Sequence, residues 1–145
     1  MKEVVTQIQI NASPAKVWQV LTANEQWATW NPFITQSSGA IVVGGKITNT
    51  MEMKGQKPMT FSPTVLKADG PSSASGQAEL RWLGRLWLPG IFDGEHYFKL
   101  EAKDGGTLFT QGEVFRGILI GMLNMDDVKA SFGELNQALK KKVEA

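Results

Sequence analysis

The chain has 145 residues, of which 42% are hydrophobic, and a chain of this size can bury a substantial core in one domain. We therefore predict a single domain over residues 1–145. A formal net charge of +1 gives no reason to expect nucleic acid or an acidic surface as the main partner. Because cysteine is absent, a disulfide framework, a thiolate nucleophile and a thiolate zinc site are excluded.

The N-terminal residues lead directly into an alternating strand pattern, without the apolar centre of a signal peptide. No apolar run in the sequence approaches membrane-spanning length. We therefore expect a cytoplasmic protein that does not insert into membranes.

A strand followed by two short helices is predicted at the start of the chain. Apolar and polar residues alternate over residues 3–10, as in a strand with one solvent-exposed face. Ser13 and Pro14 are typical of a helix cap and first turn. Asn24 is predicted to cap a second short helix, which ends before Pro32 because the residue preceding proline avoids helical dihedral angles.

An antiparallel meander is predicted for the central part of the chain, since strand patterns there are separated by short turns rich in glycine. The predicted strands cover residues 34–42, 47–53, 59–68, 75–83, 91–102 and 107–116. The connection at 84–90 carries two leucines and a tryptophan between glycines, which is unusual for a surface loop. It is interpreted either as a lid over a pocket or as a patch for a partner subunit, and the second option predicts a homodimer.

A long amphipathic helix is predicted from about Leu119 to the end of the chain. Its apolar stripe recurs at steps of three and four residues. Acidic residues near its start and lysines near its end suit the helix dipole. The stripe consists of Met125, Val128, Phe132, Leu135, Leu139 and Val143.

Three stretches resemble the SRPBCC superfamily, which includes birch-pollen-allergen-like proteins, START domains and polyketide cyclases. They are INASPAKVW at 10–18 with WATWNPF at 27–33, LRWLG at 80–84 with LPGIFDGEHYF at 88–98, and FTQGE at 109–113 with FRG at 115–117. The second stretch looks like a bacterial polyketide-cyclase/dehydrase-type subfamily. The resemblance implies an α+β helix-grip fold: a seven-stranded antiparallel sheet wrapped around the C-terminal helix, with an apolar cavity between them.

Strand alternation sorts the side chains that face such a cavity. If Phe98 points inward, so does His96, whereas Glu95 and Tyr97 point outward. By the same rule, Phe109, Gln111, Glu113 and Phe115 share the inner face. Few polar groups in an apolar cavity are typical of a small-molecule site. The predicted ligand-binding residues are Trp27, Trp30, Phe33, Met51, Met53, Phe61, Trp82, Leu86, Trp87, Phe92, His96, Phe98, Phe109, Gln111, Glu113 and Met122.

Each of these residues also has a purely structural interpretation. His96, the only histidine, could be a hydrogen-bonded core residue. An inward Glu113 is costly unless paired, and His96 on the neighbouring strand is its predicted partner. Such a pair could serve structure or general acid–base chemistry. Half of the aromatic mass of Trp27, Trp30 and Phe33 is expected to fill the core, and each methionine is suited to core filling as much as to a pocket wall.

Several chemistries are set aside, and we expect no cofactor. One histidine without cysteine cannot build a familiar transition-metal centre, so no metal site is predicted, although Asp126 and Asp127 leave a weak carboxylate site formally open. No glycine loop of the phosphate-binding type and no nucleophile elbow are present in the sequence.

Three hypotheses of function follow. The first is binding or transport of a small hydrophobic molecule, which would be the partner. The second is an enzyme that resembles the polyketide cyclases, with His96 and Glu113 as catalytic residues that move a proton. The third is a protein-interaction role like that of the related chaperone-activator domains, which predicts a filled core and an exposed apolar patch.

Overall fold

A computed structural model describes residues 1–53, 55–73, 75–86 and 90–145, with only the backbone described at Leu86. Two α-helices and eight strands are assigned within these ranges. The helices are α1 (Pro14–Thr22) and α2 (Met125–Glu144). The strands are β1 (Lys2–Ile10), β2 (Ile34–Ser38), β3 (Thr48–Met51), β4 (Met59–Phe61), β5 (Thr64–Asp69), β6 (Ala78–Leu86), β7 (Phe92–Lys103) and β8 (Gly106–Arg116).

The predicted α+β fold is confirmed, but the number and grouping of strands differ from the seven predicted. Five strands form one antiparallel sheet in the order β1-β8-β7-β6-β5, and three form a second sheet in the order β2-β3-β4. The strand predicted over residues 59–68 is interrupted between Phe61 and Thr64. Pro63 in this gap has no N–H to donate, which favours the interruption.

The two sheets remain connected by backbone hydrogen bonds. Gly44 N–H donates to the Val65 carbonyl and Val65 N–H to the Gly45 carbonyl, each at 2.8 Å. The Ile47 N–H donates to the Pro63 carbonyl at 3.1 Å. Because these bonds join the start of β5 to the turn before β3, the small sheet continues the curve of the large one.

Helix α1 begins as predicted, with the Ser13 side chain accepting from the Lys16 N–H. The predicted cap at Asn24 is wrong. Residues Asn24–Thr29 form a 3₁₀ helix without a side-chain cap, and Asn24 instead donates to the Ser37 hydroxyl and the Gly39 carbonyl. Asn24 is buried, so it joins this helix to the residues at the end of β2.

Helix α2 begins at Met125 rather than near Leu119. The side chain of Asn124 accepts from the N–H groups of Asp126 and Asp127, which caps the first turn. A short 3₁₀ helix, Ile120–Met122, precedes this cap. The α2 stripe is buried as predicted at Val128, Phe132, Leu135, Leu139 and Val143. The helix contacts β1, β8 and α1, which cover this stripe.

Candidate functional site

An apolar cavity of about 350 Å³ lies between the small sheet, the central strands of the large sheet and the first half of α2. Met59 and Met122, which border it, are both exposed, so the cavity communicates with the surface. Its lining comprises Phe33, Ile34, Met51, Met53, Gln56, Met59, Phe61, Trp82, Gly84, Arg85, Phe92, Gly94, His96, Glu113, Phe115, Leu119, Met122, Leu123, Val128 and Phe132.

Nine of the residues predicted from the sequence line this cavity. They are Phe33, Met51, Met53, Phe61, Trp82, Phe92, His96, Glu113 and Met122. Two further predictions, the Leu86 side chain and Trp87, lie outside the described residues, and so does the central part of the predicted lid.

Five predicted residues lie behind the wall of the cavity instead of lining it. Trp27 is fully buried, with its ring centroid 6.1 Å from that of Trp82, so it supports the wall from the core side. Phe98 is packed against Phe109, with 5.8 Å between the ring centroids. Trp30 is partly buried against the core, and Gln111 is fully buried. For Phe98, Phe109 and Gln111, strand alternation predicts the face on which a side chain lies but not the depth at which it is buried.

The sequence-based interpretation missed the contribution of the C-terminal helix and its approach. Leu119, Leu123, Val128 and Phe132 form one side of the cavity. Val128 and Phe132 were assigned to the helix stripe, which is a signal for burial but does not distinguish a packed core from a cavity wall.

Two glycines lie side by side in the cavity wall. Gly84 on β6 pairs directly with Gly94 on β7, and both line the cavity. A Cβ atom at Gly94 would overlap Glu113 Oε2 and would lie 3.3 Å from Glu113 Cδ. Glycine at this position therefore provides the space that the glutamate carboxylate occupies.

His96 and Glu113 face each other across neighbouring strands. The register of β7 and β8 places them directly opposite, and His96 Nδ1 lies 2.6 Å from Glu113 Oε1. The histidine side chain is only 3% exposed, whereas that of the glutamate is 17% exposed. The pairing predicted from the sequence is thus present, with the carboxylate on the accessible side.

The imidazole of His96 is held by aromatic rings as well as by hydrogen bonds. The Trp82 indole stacks on it with ring centroids 5.2 Å apart and an interplanar angle of 22°. Phe98 and Phe132 contact it at centroid distances of 4.7 and 5.0 Å. These contacts leave the ring little freedom to rotate.

A hydrogen-bonded chain continues from His96 into the core. His96 Nε2 lies 2.9 Å from Gln111 Oε1. Gln111 Nε2 donates to the Phe132 carbonyl at 3.2 Å and to Asn136 Oδ1 at 2.7 Å. Asn136 Nδ2 donates in turn to the Thr6 hydroxyl at 2.8 Å. The polar groups of three strands (β1, β7 and β8) and α2 therefore satisfy one another.

The opposite face of the same strands carries charged residues and shifted pKa values. Tyr97 points away from His96, as predicted, but Arg81 and Lys99 cover its ring, which leaves the residue 5% exposed. Burial and the hydrogen bond that its hydroxyl donates to the Glu3 carboxylate raise the pKa of Tyr97 to about 12. Burial raises the pKa of the Glu79 carboxyl, but the ion pair with Arg81 outweighs this effect, so that the pKa is lowered overall.

Two further findings concern the described part of the chain. No helix within it combines the length and hydropathy needed to cross a bilayer. Among the same residues, no group of three or more potential ligands of the His, Asp or Glu type is gathered as a metal site would require.

Solved structures of three other proteins are similar to this chain over almost its whole length. The aromatase/cyclase ZhuI from Streptomyces sp. R1128 is similar with a TM-score of 0.71 and 13% identity, over 99% of this chain and 93% of its own. Major latex-like protein 151 from Panax ginseng is similar with a TM-score of 0.75 and 10% identity, over 99% and 98% of the two chains. The Aha1 dimer from Colwellia psychrerythraea is similar with a TM-score of 0.69 and 22% identity, over 99% of this chain and 97% of its own.

The TM-scores show that these proteins share the fold of this chain. No curated protein matches the chain. A model of one family, described as polyketide cyclase/dehydrase and lipid transport, matches residues 1–144. The chain therefore belongs to the polyketide cyclase/dehydrase and lipid-transport family.

Proposed function

We propose that the chain binds or carries a small hydrophobic molecule, lipid-like or aromatic, in the cavity between the sheets and α2. The observation that supports this most directly is the cavity itself, which has a volume of about 350 Å³ and a lining that is mostly apolar. Small-molecule sites usually have volumes of roughly 300–1,000 Å³ and a few polar groups within an apolar wall. Family membership agrees with a role in ligand binding or cyclase chemistry.

Binding of the neutral dye Nile red tests the proposal. The dye should become fluorescent on binding and should be displaced by small aromatic or fatty molecules. Filling the cavity from β3 by Met51→Trp should weaken dye binding about tenfold or more, because the larger side chain occupies part of the space. The matched control is Leu66→Trp on β5, since Leu66 is 41% exposed and does not line the cavity. Equal dye binding by both variants, or no binding by the wild type, would contradict the proposal.

Proton transfer is the second candidate function, and the accessible carboxylate of Glu113 favours it. One oxygen is held by His96 at 2.6 Å, and the same side chain lines the cavity. A bound ligand could therefore exchange a proton with this pair, as in cyclase or dehydratase chemistry. His96→Gln and Glu113→Gln should each abolish turnover of a substrate while leaving the affinity for Nile red within a few-fold. Turnover that survives both substitutions would refute this role.

The protein-interaction hypothesis predicts a filled core, and the 350 Å³ cavity gives it no support. A homodimer and a cytoplasmic location both stay predictions from the sequence. Sedimentation of the purified chain would test the first of them, and a single species at the monomer mass would exclude the homodimer.

A further inference from the structure

The donors and acceptors around His96 can be assigned from one hydrogen bond, the one that the Phe132 carbonyl accepts from Gln111. A backbone carbonyl can only accept, so the Gln111 atom that lies 3.2 Å from the Phe132 carbonyl oxygen is the amide nitrogen. The other end of the carboxamide, Oε1, is therefore the atom that faces His96 Nε2 at 2.9 Å. Because this oxygen is an acceptor, His96 Nε2 must carry a proton.

The second ring nitrogen then has a defined partner. His96 Nδ1 and Glu113 Oε1 are 2.6 Å apart, which is a short hydrogen bond and requires a proton between the two atoms. Two lone pairs at this distance would repel each other. The proton lies between Nδ1 and Oε1, whichever of the two atoms holds it. The lone pairs of the other oxygen, Glu113 Oε2, therefore stay available to accept a hydrogen bond.

Glu113 Oε2 is the carboxylate oxygen that is not hydrogen-bonded to His96. It lies over Gly94, which has no side chain to cover it, and both residues line the cavity. Within the described part of the chain, Oε2 receives no hydrogen bond from another side chain or from the backbone. An acceptor that is backed by a buried imidazole therefore borders a cavity whose lining is mostly apolar.

Resting on the proposed function, we infer that the ligand of this cavity carries a hydroxyl group that donates a hydrogen bond to Glu113 Oε2. The ligand class is an apolar phenol or alcohol. A carboxylate ligand has no proton to donate to Oε2 and would place two acceptors side by side, so it would be disfavoured. Gln111 acts as a positioning residue, because its fixed carboxamide keeps the proton on His96 Nε2 and directs Nδ1 to the glutamate.

A matched set of small ligands tests this inference by displacement of Nile red. Thymol and carvacrol are phenols that differ from para-cymene only by a hydroxyl group, at different ring positions. Para-cymene is the most apolar of the three, so desolvation alone would favour it. The better of the two phenols should nevertheless bind about tenfold tighter than para-cymene, because its hydroxyl group can donate a hydrogen bond to Glu113 Oε2 and para-cymene has no such donor. Cuminate, the carboxylate analogue, should bind more weakly than para-cymene.

Two variants assign the preference to the glutamate. Glu113→Leu keeps the bulk but removes the acceptor, so the ratio of phenol affinity to para-cymene affinity, measured within the variant, should fall to about one. Glu113→Gln, which preserves the shape and has a neutral acceptor, should reduce the preference. It serves as the measurement if Glu113→Leu does not fold.

Nitrogen NMR reads the proton positions directly, since His96 is the only histidine. Nε2 should carry a proton in the wild type, and the proton between Nδ1 and the glutamate should be shifted downfield by the short bond. In Gln111→Leu the Nε2 nitrogen should lose its proton and show the signal of an unprotonated ring nitrogen, whereas a purely structural role for Gln111 would leave Nε2 protonated.

The outcomes separate the two proposals. If Nile red and para-cymene bind but the hydroxyl group adds no affinity, the inference about the ligand class is wrong and the proposed binding function stands. If cuminate binds best, or the phenol preference persists in both Glu113 variants, the inference is also wrong. If neither the dye nor any of the four ligands binds, the proposed function itself fails.

Discussion

Replacing Gly94 by alanine should disrupt the pair of His96 and Glu113 without touching either residue. The new Cβ would overlap Glu113 Oε2 and would lie 3.3 Å from Cδ. To restore an ordinary contact, the carboxylate would have to move by roughly 1 Å. The bond between His96 Nδ1 and Glu113 Oε1, now 2.6 Å, would then exceed the limit for a hydrogen bond.

The expected loss of stability follows from two opposing effects. Loss of a hydrogen bond to a charged group costs about 1.5–3 kcal/mol. Removing a glycine from a strand interior recovers about 0.5–1 kcal/mol, because the unfolded chain loses conformational freedom. The free energy of unfolding should therefore fall by about 1–2 kcal/mol, which corresponds to roughly 2–8 °C in Tm for a chain of this length.

Chemical and thermal denaturation measure this change, and two further variants provide the controls. Gly133 lies in the middle of α2, and a Cβ added there would meet no atom within 4 Å, so Gly133→Ala should stabilise the protein by about 1 kcal/mol. Combining Gly94→Ala with Glu113→Ala removes the overlap, so the double variant should be more stable than the sum of the single effects predicts. Additive effects, or a Gly94→Ala variant as stable as the wild type, would refute the reasoning.

Three other predictions concern residues away from the cavity. Tyr97 is the only tyrosine, so the ultraviolet absorbance of tyrosinate should report its pKa of about 12 in the folded protein. The stability that Tyr97 contributes should be complete below pH 10 and should be lost as the pH rises towards 12. Glu3→Gln should lower the pKa of Tyr97, because it removes the carboxylate beside the hydroxyl. A titration midpoint near the ordinary value of 10.0 would contradict the burial of its hydroxyl. The ion pair with Arg81 lowers the pKa of the Glu79 carboxyl from its usual value of 4.5, so ionised Glu79 stabilises the fold above pH 4.5. The difference in unfolding free energy between the wild type and Glu79→Gln should therefore shrink as the pH falls below 4.5. A difference that stays constant in acid would disprove the ion-pair effect. Removing the helix cap by Ser13→Ala should cost about 0.5–2 kcal/mol in urea denaturation, and an unchanged midpoint would show that the cap is not needed.

Local patterns were sufficient to predict which side chains face inward. Side chains alternate along a strand, so the inward positions of His96, Gln111 and Glu113 follow from the apolar residues beside them. The pairing of His96 with Glu113 was predicted because a buried carboxylate needs a partner on a neighbouring strand. The cap at Ser13 was predicted for a similar reason, since its hydroxyl satisfies an exposed N–H group in the first helical turn.

Depth and long-range contacts were decided only by the tertiary structure. Trp27 and Phe33 come from one short stretch, yet the first is packed in the core and the second lines the cavity. Gln111 is 25 residues from Asn136 in sequence, and nothing local to either residue indicates their hydrogen bond.

The sequence by itself determined the amphipathic terminal helix and the inward face of each central strand, because these depend on the spacing between near neighbours. The helix-grip fold class was indicated by the resemblance of three stretches to the SRPBCC superfamily. Only the tertiary structure decided that the sheet divides into five and three strands and that a cavity of about 350 Å³ remains beside α2. The physical reason is that a cavity depends on how far separate elements approach one another. That distance is set by the combined bulk of residues such as Phe132 and Trp82 and by the absence of side chains at Gly84 and Gly94.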